Sequence, residues 1–300
     1  MPYGRGVSES RPVEKRVTAN GITLAIFEWG IEHRDSSDSF LMAHATGYHA
    51  RCWDQVVHRL GPRHVIAVDQ RGHGRSDKVY PVRWSDFGAD LADLVRVLDL
   101  RSLVGVGHSM GGHALTEAAA LEPNRFHRLA LIDPVIASPQ DYEARAAMDH
   151  RQALAEHPVA RRRSRWSSAE EMIERFRQRP PFDAFDRAAL RDYCQWGLLP
   201  SADGDGFVLA CPPEFEAAVY MASHDNGAVL ERARSVDVPV LIVRVKEPPP
   251  DRSMMDFRYS PTWPGLVGQF PRGREIHLPD ETHFLPMEKP AVTAAHILDG

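Results

Sequence analysis

Cysteine is scarce: the chain has three in 300 residues, Cys52, Cys194 and Cys211, far apart and never in a CxxC pair. Such usage excludes a disulfide framework and offers no zinc site. Long apolar runs are missing as well. No stretch approaches the roughly 18 consecutive apolar residues of a membrane span, and the polar opening MPYGRGVSESRPVEKR lacks the apolar segment of a secretory signal. A cytoplasmic location without a membrane partner is the expectation. Nor is charge of one sign in large excess: 36 Lys and Arg against 41 Asp and Glu leave a net charge of -5, which gives no field to draw in nucleic acid. The one basic run, Arg161, Arg162, Arg163 and Arg165, reads as a solvated helix face and receives no role. Metal-ligand clusters, phosphate-binding glycine loops and nucleotide fingerprints are absent, so no cofactor is implied.

What is present belongs to an ordinary folded chain, with 43% hydrophobic and 26% charged residues. A chain of this length holds one substantial core, here expected with a smaller appendage. Residues 1–12 read as a loose arm. Residues 13–30 then alternate around Asn20-Gly21, a hairpin turn dipeptide, which predicts an antiparallel start. The runs at 40–43, 64–69, 102–107, 128–133 and 238–245 are short and rich in Val, Ile and Leu, as strands buried on both faces of a parallel sheet are. Helix-compatible stretches over 84–98 and 110–121 separate them, and strand alternating with helix predicts an α/β sheet. Over 134–235 the pattern lapses into helical segments and proline-rich turns. This stretch is read as a helical insertion, separable from a core made of 1–133 and 236–300.

Chemistry enters at Gly107-His108-Ser109-Met110-Gly111, which matches G-x-S-x-G between a buried strand and a helix. Two glycines permit a tight strand-to-helix turn that presents the Ser109 hydroxyl at the carboxyl edge of the sheet. A hydroxyl is a poor nucleophile until a base removes its proton. Among 15 histidines, His283 stands out. It follows the last short apolar strand, EIHL, where a loop returns toward the elbow, and the order Ser before His suits such a sheet. Acyl transfer also needs donors for the oxyanion. The backbone N–H of Met110 is one candidate, and that of Thr46, in the His44-Ala45-Thr46-Gly47 turn, is the other.

Four motifs in order, HATG, DQRGHGRS (Asp69 to Ser76), GHSMGG and the late THF, resemble the α/β-hydrolase superfamily from about Phe40 to Pro290. Ala45 departs from the glycine usual there. The resemblance implies an α/β-hydrolase fold, a mostly parallel sheet with helices on both faces, and makes 134–235 a cap over the active site. Aspartate-nucleophile relatives, the haloalkane dehalogenases and epoxide hydrolases, are set aside by Ser109. The implied activity is hydrolysis of a small apolar acyl substrate, an ester, lactone, thioester or amide, through an acyl-enzyme. Two rivals stand beside it: a hydrolase of carbon–carbon bonds in β-diketone or ring-cleavage products, and a non-catalytic receptor for a small ligand. The acid that orients His283 stays open. Most relatives carry it after the strand equivalent to 238–245, where Glu247 and Asp251 flank three prolines; some carry it one strand earlier, where Asp133 stands. No oligomeric state can be read.

Overall fold

The computed structural model describes residues 11–34, 38–147, 154–252 and 256–300. Most of the arm expected over 1–12 lies outside them. Strands β1 (Val13–Ala19) and β2 (Ile22–Trp29) form a hairpin whose turn residues Asn20 and Gly21 both have positive φ, the backbone that a two-residue hairpin loop demands. Next come β3 (Ser39–Ala43), the short helix α1 (Asp54–Val57), β4 (Val65–Asp69), α2 (Trp84–Val97), β5 (Leu103–His108), α3 (Met110–Leu121) and β6 (Phe126–Ile132).

Between β6 and the next strand of the main sheet lie α4 (Pro139–Ala146), β7 (Arg165–Trp166), α5 (Ala169–Phe176), α6 (Arg187–Trp196), β8 (Leu198–Pro200), β9 (Phe207–Leu209), α7 (Pro213–Met221) and α8 (Val229–Ser235). The stretch is therefore not purely helical, because β7, β9 and β8 pair antiparallel in a small sheet. β10 (Val240–Val245), β11 (Gly273–Leu278), α9 (Leu285–Glu288) and α10 (Pro290–Asp299) complete the chain.

The main sheet has eight strands in the order β1-β2-β4-β3-β5-β6-β10-β11. β1, β2 and β4 pair antiparallel, and all pairs from β4 through β3 to β11 are parallel. Period-two alternation divides each central strand between two cores. Leu129 and Leu131 of β6 join Val240 and Ile242 of β10 under α2, α3 and α8, whereas Ala130 and Ile132 join Leu241 and Val243 on the face covered by α1 and α10. A third cluster joins Trp166, Met172, Tyr193 and Leu198 of the insertion to Tyr48, Cys52, Phe284 and Met287 outside it. Phe215, Val219, Val229 and Ala233 of the same stretch instead pack into the first core, so α7 and α8 are tied to the sheet. Among the described residues no helix is long and apolar enough to cross a membrane.

Candidate active site

Parallel strands direct their carboxyl ends to one edge, and the loops leaving neighbouring strands meet there. Ser109 follows β5, Thr46 follows β3, Asp133 follows β6, and His283 lies on the segment after β11. Ser109 adopts φ 57° and ψ -119°, a strained turn that one residue makes between the last strand position and the first of α3. The flanking glycines are required by close approach. A Cβ on Gly107 would stand 2.5 Å from Gly111 O, and one on Gly111 would stand 2.1 Å from Ala43 O.

The Ser109 hydroxyl lies 3.0 Å from His283 Nε2, and His283 Nδ1 lies 2.6 Å from Asp133 Oδ2. Asp133 Oδ1 accepts from Ser260 Oγ at 2.5 Å, Thr262 Oγ1 at 3.1 Å and the Val245 N–H at 3.3 Å, so both carboxylate oxygens are occupied. The main chain of His283 is fixed as well: its N–H donates to Arg258 O and its carbonyl accepts from His108 Nε2. Of the three acids left open by the sequence, Asp133 is the one that meets the imidazole. Glu247 turns to Arg244 at 2.8 Å with its side chain 58% exposed, and Asp251 is exposed on the loop beyond the prolines.

Thr46 and Met110 are neighbours, with Thr46 Oγ1 donating to Met110 Sδ at 3.4 Å. Among the described residues neither backbone N–H is taken by a protein acceptor. The turn that carries Thr46 is stitched down by two histidines that sequence reasoning passed over. His73 Nε2 accepts from the Gly47 N–H at 3.0 Å while its Nδ1 donates to Arg71 O; His44 Nδ1 donates to Ala45 O while its Nε2 accepts from the Gln70 N–H. Acceptor roles require neutral rings. Burial supplies that neutrality, pushing His73 down to about 4 and His44 well below the ordinary histidine range. Burial and the adjacent His283 likewise push His108 down to about 3. The signal for His73 lay inside the DQRGHGRS motif, as a variable position between its glycines; nothing in the sequence marked Ser260 or Thr262.

Above these groups is a cavity of about 540 Å³ between the sheet edge and the insertion, lined by Ser109, His283, Thr46 and a band of aromatic residues that includes Tyr48, Phe182 and Tyr193. The basic run is exposed at Arg161, Arg163 and Arg165, as expected, but it is not a helix face. Arg161 closes a 3-10 turn, Arg165 lies in β7, and Arg162 turns into the cavity, where it pairs with Glu216 of α7 and reaches the Tyr193 hydroxyl at 3.2 Å. Burial opposes the charge on Arg162, but the Glu216 carboxylate more than offsets it and holds the guanidinium above its ordinary range. Among the described residues no group of three or more His, Cys, Asp and Glu side chains could hold a metal ion.

The sequence profile of the alpha/beta hydrolase family matches residues 40–296. The chain belongs to that family. It is 32% identical to the 2-(acetamidomethylene)succinate hydrolase of Mesorhizobium japonicum over 135 residues, 44% of this chain and 47% of that one. The matched segment thus spans about half the length of that curated relative. A crystal structure of E-2-(acetamidomethylene)succinate hydrolase superposes with a TM-score of 0.74 at 24% identity, covering 96% of this chain and 98% of the other. The thioesterase domain from the curacin biosynthetic pathway superposes with a TM-score of 0.69 at 20% identity, over 96% of this chain and 100% of that one. At these identities the two structures speak for the fold of this alpha/beta hydrolase.

Proposed function

We propose that the chain is a serine hydrolase that cleaves a carboxylic ester or related acyl bond of a small substrate through an acyl-enzyme. The observation that carries this reading is the line from Asp133 through His283 to Ser109, at 2.6 and 3.0 Å, opening on a cavity next to two backbone N–H groups that have no acceptor among the described residues. His283 Nε2 takes the hydroxyl proton as Ser109 Oγ attacks the acyl carbon. Asp133 holds the imidazole tautomer with its proton on Nδ1 and stabilises the imidazolium. The N–H groups of Met110 and Thr46 receive the oxyanion, assisted by the amino end of α3. His283 then protonates the leaving group, and water attacks the acyl-enzyme by the reverse relay. Residues 134–235 act as the cap, and their aromatic side chains exclude water and hold the apolar part of the substrate. The names of the related hydrolase and of the thioesterase domain agree with acyl chemistry.

The test is a panel of p-nitrophenyl esters together with a fluorophosphonate probe. The expected result is ester turnover, covalent labelling of Ser109, and loss of about 10⁵ to 10⁶ in kcat in Ser109→Ala. An alanine variant retaining more than a few per cent of the activity overturns the serine mechanism. A vinylogous diketone hydrolysed in preference to every ester would replace the ester reading with carbon–carbon bond hydrolysis. Absence of labelling in the folded protein would mean a receptor.

A further inference from the structure

The chain as a whole is acidic, with a net charge of -5, yet the cavity over Ser109 is lined by five arginines, Arg162, Arg163, Arg175, Arg179 and Arg252, against one carboxylate, Glu216. Two of the five are already engaged. Arg162 is paired with Glu216, and Arg163 lies 2.6 Å from Glu171 with its guanidinium 4.1 Å from the Trp166 ring centre. Arg175 on α5 and Arg179, four residues on and just past the end of that helix, have no carboxylate partner among the described residues. Both side chains are exposed, whereas Ser109 and His283 are 5% and 7% exposed. The free cations therefore stand at the solvent end of the cavity and the nucleophile at its closed end. Phe176, Phe182 and Tyr193 line the same cavity as a cluster of rings, with Phe176 stacked on Phe182 and Tyr193 tilted against both.

From this arrangement we infer that the substrate carries an anionic group, carboxylate or phosphate, remote from the acyl bond, and that Arg175 and Arg179 at the mouth of the cap receive it. The inference rests on the reading of Ser109 as nucleophile and deepens it by naming the substrate class. A guanidinium offers a planar fork of donors that matches a carboxylate or phosphate, and beside low-dielectric aromatic walls the pairing is less screened than in bulk water. The local field also inverts the repulsion that an acidic protein exerts on an anion. A neutral ester of the same length would fill the aromatic band and leave the two guanidinium groups in water.

Two matched pairs of substrates test it and separate the sources of the anion. The first sets 4-nitrophenyl hydrogen glutarate against 4-nitrophenyl pentanoate, with the charge on the acyl side. The second sets S-butyryl-4′-phosphopantetheine against S-butyrylpantetheine, with the charge on the leaving-group side. In at least one pair the charged member is expected to exceed the neutral one by about tenfold or more in kcat/KM, the scale of a hydrogen bond to a charged group. That ratio should shrink as NaCl rises from about 20 to about 500 mM and fall toward one in the double variant Arg175→Gln/Arg179→Gln. Equal kcat/KM within both pairs, or a preference that survives the double substitution, overturns the inference. Binding of the same compounds to Ser109→Ala, followed by calorimetry, keeps it separate from the hydrolase reading. Tighter binding of the charged member that disappears with the two arginines sustains the anion site even if the wild-type protein hydrolyses none of these compounds; equal binding of charged and neutral members refutes it even if esters are hydrolysed.

Discussion

Glu216 and Gly47 face each other so closely that no side chain fits between them: a Cβ on Gly47 would stand 2.4 Å from Glu216 Oε1. Gly47 ends the turn that carries Thr46, and Glu216 lies on α7 of the insertion, anchored by Arg162. The shape of the proposed oxyanion turn is thus set jointly by the sheet edge below and the insertion above. Gly47 also has φ +79°, which an L side chain rarely adopts. Gly47→Ala is expected to lower kcat by roughly 10²-fold, the cost of a displacement near 1 Å at a reacting centre, with a smaller effect on KM. Steady-state kinetics on an ester substrate provide the check, and parental kcat in this variant would show that the turn does not position a donor.

Asp133→Asn is expected to cost about 10⁴ in kcat, because the amide leaves the geometry intact but favours the wrong imidazole tautomer. Glu247→Gln should stay near the parental rate, since Glu247 faces Arg244 and solvent. The reverse ranking would move the orienting acid to the loop after β10.

Ser260 donates a 2.5 Å hydrogen bond to Asp133 Oδ1, and under the proposed mechanism this makes it a positioning residue. Ser260→Ala removes one donor to a buried carboxylate and is expected to lower kcat by about tenfold or more with little change in KM. Ser260→Thr, which keeps the hydroxyl, should recover most of the loss. If the alanine and threonine variants were equally impaired, packing rather than the hydrogen bond would be at issue.

The pH dependence of stability should reflect buried neutral histidines. Burial pushes His113 of α3 from the ordinary value of 6.5 down to about 3. Between those values the unfolded chain binds a proton that the folded chain refuses, so this residue's contribution is fully present above pH 6.5 and is lost as pH falls toward 3. Within that window His113→Phe is expected to make the fall of unfolding free energy with decreasing pH shallower by about 1.4 kcal/mol per pH unit, one proton's worth, whatever its effect on absolute stability. Urea unfolding at several pH values between 4 and 7 measures the slope; an unchanged slope would show that His113 takes up its proton in the folded state.

Excising 134–235 should unfold the core rather than liberate it. Phe215, Val219, Val229 and Ala233 are buried in the cluster beneath α2 and α3, and deleting them exposes the apolar side of those helices. Core substitutions of single large side chains already cost about 2 to 5 kcal/mol each, against a total stability of about 5 to 15 kcal/mol. A soluble, cooperatively melting protein after the excision would show that the two parts are independent.

The sequence by itself determined the sheet, the elbow and the order of the motifs, because these depend on local physics. Period-two burial, the Asn20-Gly21 turn, and the strand–Gly-x-Ser-x-Gly–helix context each lie within a few residues of one another, and β5 and α3 fall where their apolar patterns predict. The placement of His283 beside Ser109 was legible for a related reason, since a loop leaving the carboxyl end of a last parallel strand emerges at the edge that carries the elbow. Tertiary structure decided the rest. That Asp133, and not Glu247, lies against the imidazole follows only from β6 and β10 lying side by side with their end loops diverging, one toward His283 and the other toward Arg244. Arg162 looked like one more surface cation until the insertion folded over the sheet and brought Glu216 against it. Charge and hydrogen-bond partners at this site come from segments far apart in the chain, and no spacing rule within one segment records a partner that only a shared burial supplies.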